Sequence, residues 1–311
     1  MDISVLFSAM PGAVAQGLIW GIMAIGVYIT YKILDVADLT VDGSMCTGGA
    51  VSIMMMLNGY NVWVSLLAAF IAGMLAGLVT GIFHTFMGIP AILAGILTQL
   101  ALYSINLKIM GRANQAISVM NYDLLVSLRN VKNVPFYQNS IFVVAIFCIV
   151  IIGILYWFFG TELGCSLRAT GCNPNMSRAQ GINTNFNIVL GLMISNGLVA
   201  LASALCSQYQ GFADINMGRG AIVIGLAAVI IGKVVFEKVF HNFALKLLSV
   251  VLGAVIYYVV LQVVIWFGLD TDLLKLLSAL VVALFLALPY WKKKYIVKPV
   301  KRGGVQNVGS K

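Results

Sequence analysis

The chain has 311 residues, of which 61% are hydrophobic and only 9% charged, with a mean hydropathy of +1.00. A soluble domain carries about a quarter charged residues, so the composition excludes an ordinary soluble enzyme and specifies a polytopic membrane protein. The net charge of +9 gathers near the C-terminus, in KKKYIVKPVKRGG, directly after an apolar run. That is the pattern of a cytoplasmic anchor rather than of a nucleic-acid-binding tail.

Apolar segments read as helices at about 12–31, 43–58, 61–83, 88–110, 140–159, 186–207, 218–235, 246–268 and 274–290. Several reach the roughly 20 residues needed to span a bilayer. Those at 43–58 and 218–235 are short and interrupted by glycine, which predicts half-spans or broken helices. Strands are not expected, because an open sheet edge cannot face lipid. The fold class is therefore all-α, a polytopic membrane helix bundle of about 8–9 transmembrane segments. No basic residue precedes Lys32, so no cleavable signal peptide is expected. With the tail placed inside, Lys32, the 161–183 stretch and the 233–246 loop also fall inside. That side then holds most of the 19 basic residues, as the positive-inside rule asks.

Gly73, Gly77 and Gly81 share one helix face and predict close helix packing. The five cysteines are scattered and read as small apolar or loop residues, and His84 and His241 are too far apart in sequence to suggest a metal site. No metal or cofactor is expected. Gly225–Lys233 is not a phosphate loop: the spacing is wrong and no Ser or Thr follows the lysine. No catalytic constellation appears, so the chain is not expected to be an enzyme or to hydrolyse ATP.

Asp35, Asp38, Asp42 and Asp214 sit beside or within apolar segments. An ionisable group there faces a cavity, a partner or water. Asp38 and Asp214 are expected to cap the helices that follow them, and Arg219 stands close enough to Asp214 to pair with it. Ser44, Asn196 and Asn216 join Asp38, Asp42 and Asp214 as candidates for a translocation pathway. A shift of 176 residues lays Asp38-Leu-Thr-Val on Asp214-Ile-Asn-Met, Gly21 on Gly197 and Gly49 on Gly225. Such a repeat, offset by five spans, would be inverted in the membrane.

The longest polar stretch between the two apolar halves is 161–183, TELGCSLRATGCNPNMSRAQGIN. Asn173 and Pro174 fit the start of a short helix, and Gly181 fits its end. The pattern from Gly164 through Arg168, Ala169, Asn173, Pro174, Ala179 and Gly181 to Asn183 resembles the cytoplasmic coupling loop of ABC-importer permeases of the branched-chain amino acid and ribose permease superfamily. DLTVDGSMCTGGAVS at 38–52 is similar to a second motif of that superfamily, in the form of its tryptophan/tyrosine-type or uncharacterised subgroup. Gly43 stands where sugar permeases carry serine.

The resemblance implies one permease domain over 1–311, with a repeat at about 12–110, a coupling loop at 161–183, a second repeat at about 186–290 and a cytoplasmic tail at 291–311. It implies import of a small solute, an amino acid and by the subgroup an aromatic one, across the cell membrane. The implied partners are cytoplasmic ABC ATPase subunits, an extracytoplasmic solute-binding (lipo)protein and a second permease copy, as a homodimer. Glu162, Gly164, Arg168, Ala169, Gly171, Asn173, Pro174, Arg178, Ala179 and Gly181 would shape the coupling loop. An ion-coupled secondary transporter or channel is the alternative; it would use the aspartates as carriers and leaves the 161–183 pattern unexplained.

Overall fold

The computed structural model describes residues 3–118, 122, 124–131, 139–237 and 239–267, with a few helical positions between 276 and 287. Helix α1 (Ile3–Tyr28) runs into a π-helical turn at Ile29–Leu34, which ends at Asp35 in a left-handed conformation (φ 56°). The chain then reverses into α2 (Thr40–Leu57), α3 (Val62–Thr85) and α4 (Ala91–Met110). Helices α5 (Ser140–Gly160), α6 (Glu162–Cys172) and α7 (Pro174–Ala179) lead to α8 (Thr184–Gln210), α9 (Ala221–Phe236) and α10 (Phe243–Trp266).

Local chemistry sets the ends of these helices. The side chains of Asn61, Asn139 and Asn183 each accept a bond from a first-turn backbone N–H, of α3, α5 and α8 respectively. Gly111 and Gly211 end α4 and α8 with positive φ, where a side chain would be strained.

Six helices among the described residues are long and apolar enough to cross a membrane. Helices α2 and α9 are the shorter pair, with 18 and 16 residues. Only positions 276, 279, 280, 282–284 and 287 of the segment expected at 274–290 are described, all helical, and the tail at 291–311 lies outside the described residues. Against expectation, two short strands form: β1 (Asn114–Ala116) pairs antiparallel with β2 (Phe212–Asp214), Asn114 opposite Asp214. Each has only three residues, so the ladder sits at helix ends and does not span.

The apolar span windows of α1 and α8 are each 72% buried, against 22% for α5 and 28% for α4. Helices α1 and α8 are therefore the central pair, and the others turn one face outward. That face is apolar, with Leu67, Ile71 and Leu75 on α3 and Ile149, Ile154 and Trp157 on α5 exposed, as a lipid-facing surface requires. The glycines of α3 do allow close approach. Gly73, Gly77 and Gly81 lie against Asn196, Leu192 and Val189 of α8 in reverse order, so the two helices run antiparallel.

Candidate functional site

Residues 161–183 form two helices rather than a loop holding one. Sequence reading missed α6, because its polar and glycine-rich composition hides a capped helix. The Thr161 hydroxyl accepts from the Gly164 N–H (3.3 Å), and Glu162 sits in the first turn, where a negative charge suits the helix dipole. Helix α7 forms as its residues dictate. The Asn173 side chain accepts from the Met176 N–H (3.1 Å) with Pro174 at the first position. Gly181 closes it at φ 80°.

The pair is anchored inward. Asn187 of α8 donates to the Thr170 hydroxyl (2.9 Å) and accepts from Ser166 (3.3 Å). Arg178 donates to the Thr184 hydroxyl at the start of α8 (2.8 Å). Gly171 lies directly against the carbonyl of Ile33 in the π-turn, where a side chain would not fit. The Arg168 guanidinium lies 5.8 Å from the centre of the Phe243 ring of α10, a cation–π distance. Glu162, Ala169, Pro174, Met176 and Ala179 are exposed on the other side. The result is a fixed outward platform tied to α1, α8 and α10.

Three of the pathway candidates converge. Asn196 donates to the Asp38 carboxylate (2.7 Å) and to the Leu192 carbonyl (3.0 Å), and accepts from the Ser44 hydroxyl (2.6 Å). The other Asp38 oxygen accepts from the Thr40 N–H at the start of α2 (2.9 Å), the expected local cap. The chain of bonds continues through the hydroxyls of Thr40, Thr80 and Thr98, at 2.7 and 2.9 Å. All six side chains are buried. This network joins α2, α3, α4 and α8. Sequence reading missed the roles of Thr40 and Thr80, since a lone threonine in an apolar helix carries no signal of its partner.

The other candidates sit differently from expectation. Asp214 does not cap α9; its carboxylate accepts from the Asn216 N–H (2.7 Å) and from the Asn114 side chain (3.3 Å). The cap comes from Asp42, 178 positions upstream of Gly220, whose carboxylate accepts from the N–H groups of Gly220 and Ile222 (both 3.1 Å). Six residues separate Asp214 from α9, too many for a side-chain cap. Nor does Arg219 pair with Asp214; among the described residues the one ion pair is Lys233–Glu237. Asn216 is exposed, and its N–H is spent on Asp214.

Residues 10–287 match the family described as "Branched-chain amino acid transport system / permease component". The chain belongs to this family. Its members are permease subunits of ABC transporters, and ATP hydrolysis lies in their partner subunits. The chain is 40% identical to the tyrosine transport system permease protein of Clostridioides difficile, over 90% of this chain and 91% of that one. It is 27% identical to the fructose import permease protein FruF of Bifidobacterium longum, over 79% of this chain and 67% of that one. Among solved structures, PsaBC from Streptococcus pneumoniae shares the fold, with a TM-score of 0.55 at 14% identity over 95% of this chain and 99% of that one.

Proposed function

We propose that this permease imports an amino acid with an aromatic side chain, delivered by an extracytoplasmic binding protein and driven by ATPase subunits docked on 161–183. The capped, inwardly bonded α6–α7 platform carries the coupling part of this reading. Exposed Leu163 and Met176 would seat in the ATPase, and its closure would reach α1 and α8 through Gly171, Arg178 and Asn187. The substrate part rests on the likeness to the tyrosine permease. The C-terminal tail and the platform then face the cytoplasm. A second copy of the chain completes the transporter.

The same reading treats the halves as inverted repeats, and contacts across the fold support it. The shift of 176 carries Asp42 onto Gly218, and these two residues touch each other. It carries Gly49 onto Gly225; Ser203 touches Gly49, and Val27, its equivalent, touches Gly225. Asp38 and Asp214 each accept from the N–H two residues on. Helices α1 and α8 are equivalent under the shift and run antiparallel, Gly26 meeting Ser195 and Gly12 meeting Tyr209.

Co-expression with a candidate ATPase tests the platform. Arg168→Glu with Pro174→Gly should cut ATPase co-purification and substrate-stimulated hydrolysis roughly tenfold or more, the effect of losing about 1.4 kcal/mol of docking energy. Unchanged co-purification would move the docking site elsewhere. Uptake of labelled tyrosine against labelled fructose tests the substrate class.

A further inference from the structure

Asn106 on α4 is fully buried, yet neither its amide nitrogen nor its amide oxygen has a hydrogen-bond partner. Unpaired buried amides are costly and uncommon. Asn106 lines a cavity of about 240 Å³ between α2, α4 and the turn before α9, together with Asp42, Gln99, Tyr103 and Arg219. The volume lies below the roughly 300–1,000 Å³ of drug-sized sites and suits a small metabolite. Arg219 enters no ion pair among the described residues. Each Asp42 oxygen accepts one backbone N–H, and a carboxylate oxygen has a second lone pair to offer. The cavity also adjoins the contact of Asp42 with Gly218, where the first and second halves of the chain meet.

One cation, one anion and two carboxamides around a small, partly open cavity match a zwitterion. We propose that this cavity is a solute site for an α-amino acid, with Arg219 holding the carboxylate, Asp42 the ammonium group, and Asn106 and Gln99 bonding what remains. A guanidinium is the side chain best matched to a carboxylate. A neutral sugar would leave both charges unanswered. The assignment rests on the importer reading for its place in transport, but its chemistry is testable alone.

The test uses the full chain co-expressed with its ATPase and purified into lipid nanodiscs. Equilibrium binding is measured with labelled L-tyrosine and labelled L-leucine. Competitors are tyramine, which lacks the carboxylate, 3-(4-hydroxyphenyl)propionate, which lacks the amine, and fructose. At least one amino acid should bind, and each competitor at least about tenfold more weakly. Asn106→Leu, close in volume, should weaken amino-acid binding about tenfold or more without lowering the melting temperature, since it removes an unpaired polar group. Arg219→Gln should erase discrimination against tyramine and keep discrimination against the propionate.

Binding of neither amino acid, equal competition by fructose, or parental affinity in Asn106→Leu would each overturn the assignment. Attachment of the ATPase is scored separately. Amino-acid binding without an attached ATPase would sink the importer reading and uphold the site; the converse would sink the site alone.

Discussion

Asn196→Ala should destabilise the protein by about 3 kcal/mol, the upper end of the cost of leaving buried polar groups without their partner. Against a typical total of about 5–15 kcal/mol, that is a large share of the margin for folding. Asn196 answers Asp38 at 2.7 Å and Ser44 at 2.6 Å, and all three side chains are at most 2% exposed. Truncation strands a carboxylate oxygen and a hydroxyl where no water reaches them, and adds a cavity. Asn196→Asp should be as harmful, because it turns an acceptor toward Asp38 in place of the donor. The exchange Asp38→Asn with Asn196→Asp restores an amide facing a carboxylate and should recover much of the loss. Thermal melting of the parent, Asp38→Asn, Asn196→Asp and the double exchange in detergent forms a double-mutant cycle, with a coupling expected at the upper end of the ~0.5–3 kcal/mol seen for contacting residues. If Asn196→Ala melts with the parent protein, the network is incidental to stability.

The helices were legible because lipid imposes a simple rule: a long apolar run must be helical. Eight of the apolar segments expected from sequence overlap α1–α5 and α8–α10, although α1 starts nine residues before its expected position 12, and the Asn173–Pro174 start of α7 was readable from two residues. What stayed hidden depends on partners far away in sequence. Asp42 looks like any acid near a helix start, and only the fold shows that it caps α9 rather than serving α2 alone. Asp214 carries the same local signal as Asp38, yet a turn of six residues keeps it from its helix. The β1–β2 ladder escaped notice because three-residue strands show no period. Asn106 lies in an apolar segment, and its lack of partners is a property of packing and not of sequence.

The same substitution, glycine to alanine, should have opposite signs at two helix interiors. In α2, a methyl on Gly48 would lie 2.6 Å from the Cα and carbonyl carbon of Ala200, with the carbonyl oxygen nearer still. Those are backbone atoms of α8, so no rotamer change relieves the clash and the helices must separate. Their separation would strain the neighbouring contacts that share this interface, the bond from the Ser203 hydroxyl to the Met45 carbonyl and that between Ser44 and Asn196. Overpacking of a close-packed interior costs about 1–3 kcal/mol and occasionally more, and a backbone clash belongs at the upper end. In α5, Gly153 has nothing within 4 Å of where its methyl would stand. There only propensity acts, and alanine should stabilise the helix by about 0.5–1 kcal/mol. Melting temperatures of Gly48→Ala and Gly153→Ala, measured side by side in one detergent, should fall on either side of the parent. A Gly48→Ala protein that melts with the parent would mean that α2 and α8 do not approach at Gly48. The central packing of the fold would then have to be redrawn, and with it the placement of Asp38 and Ser44 against Asn196.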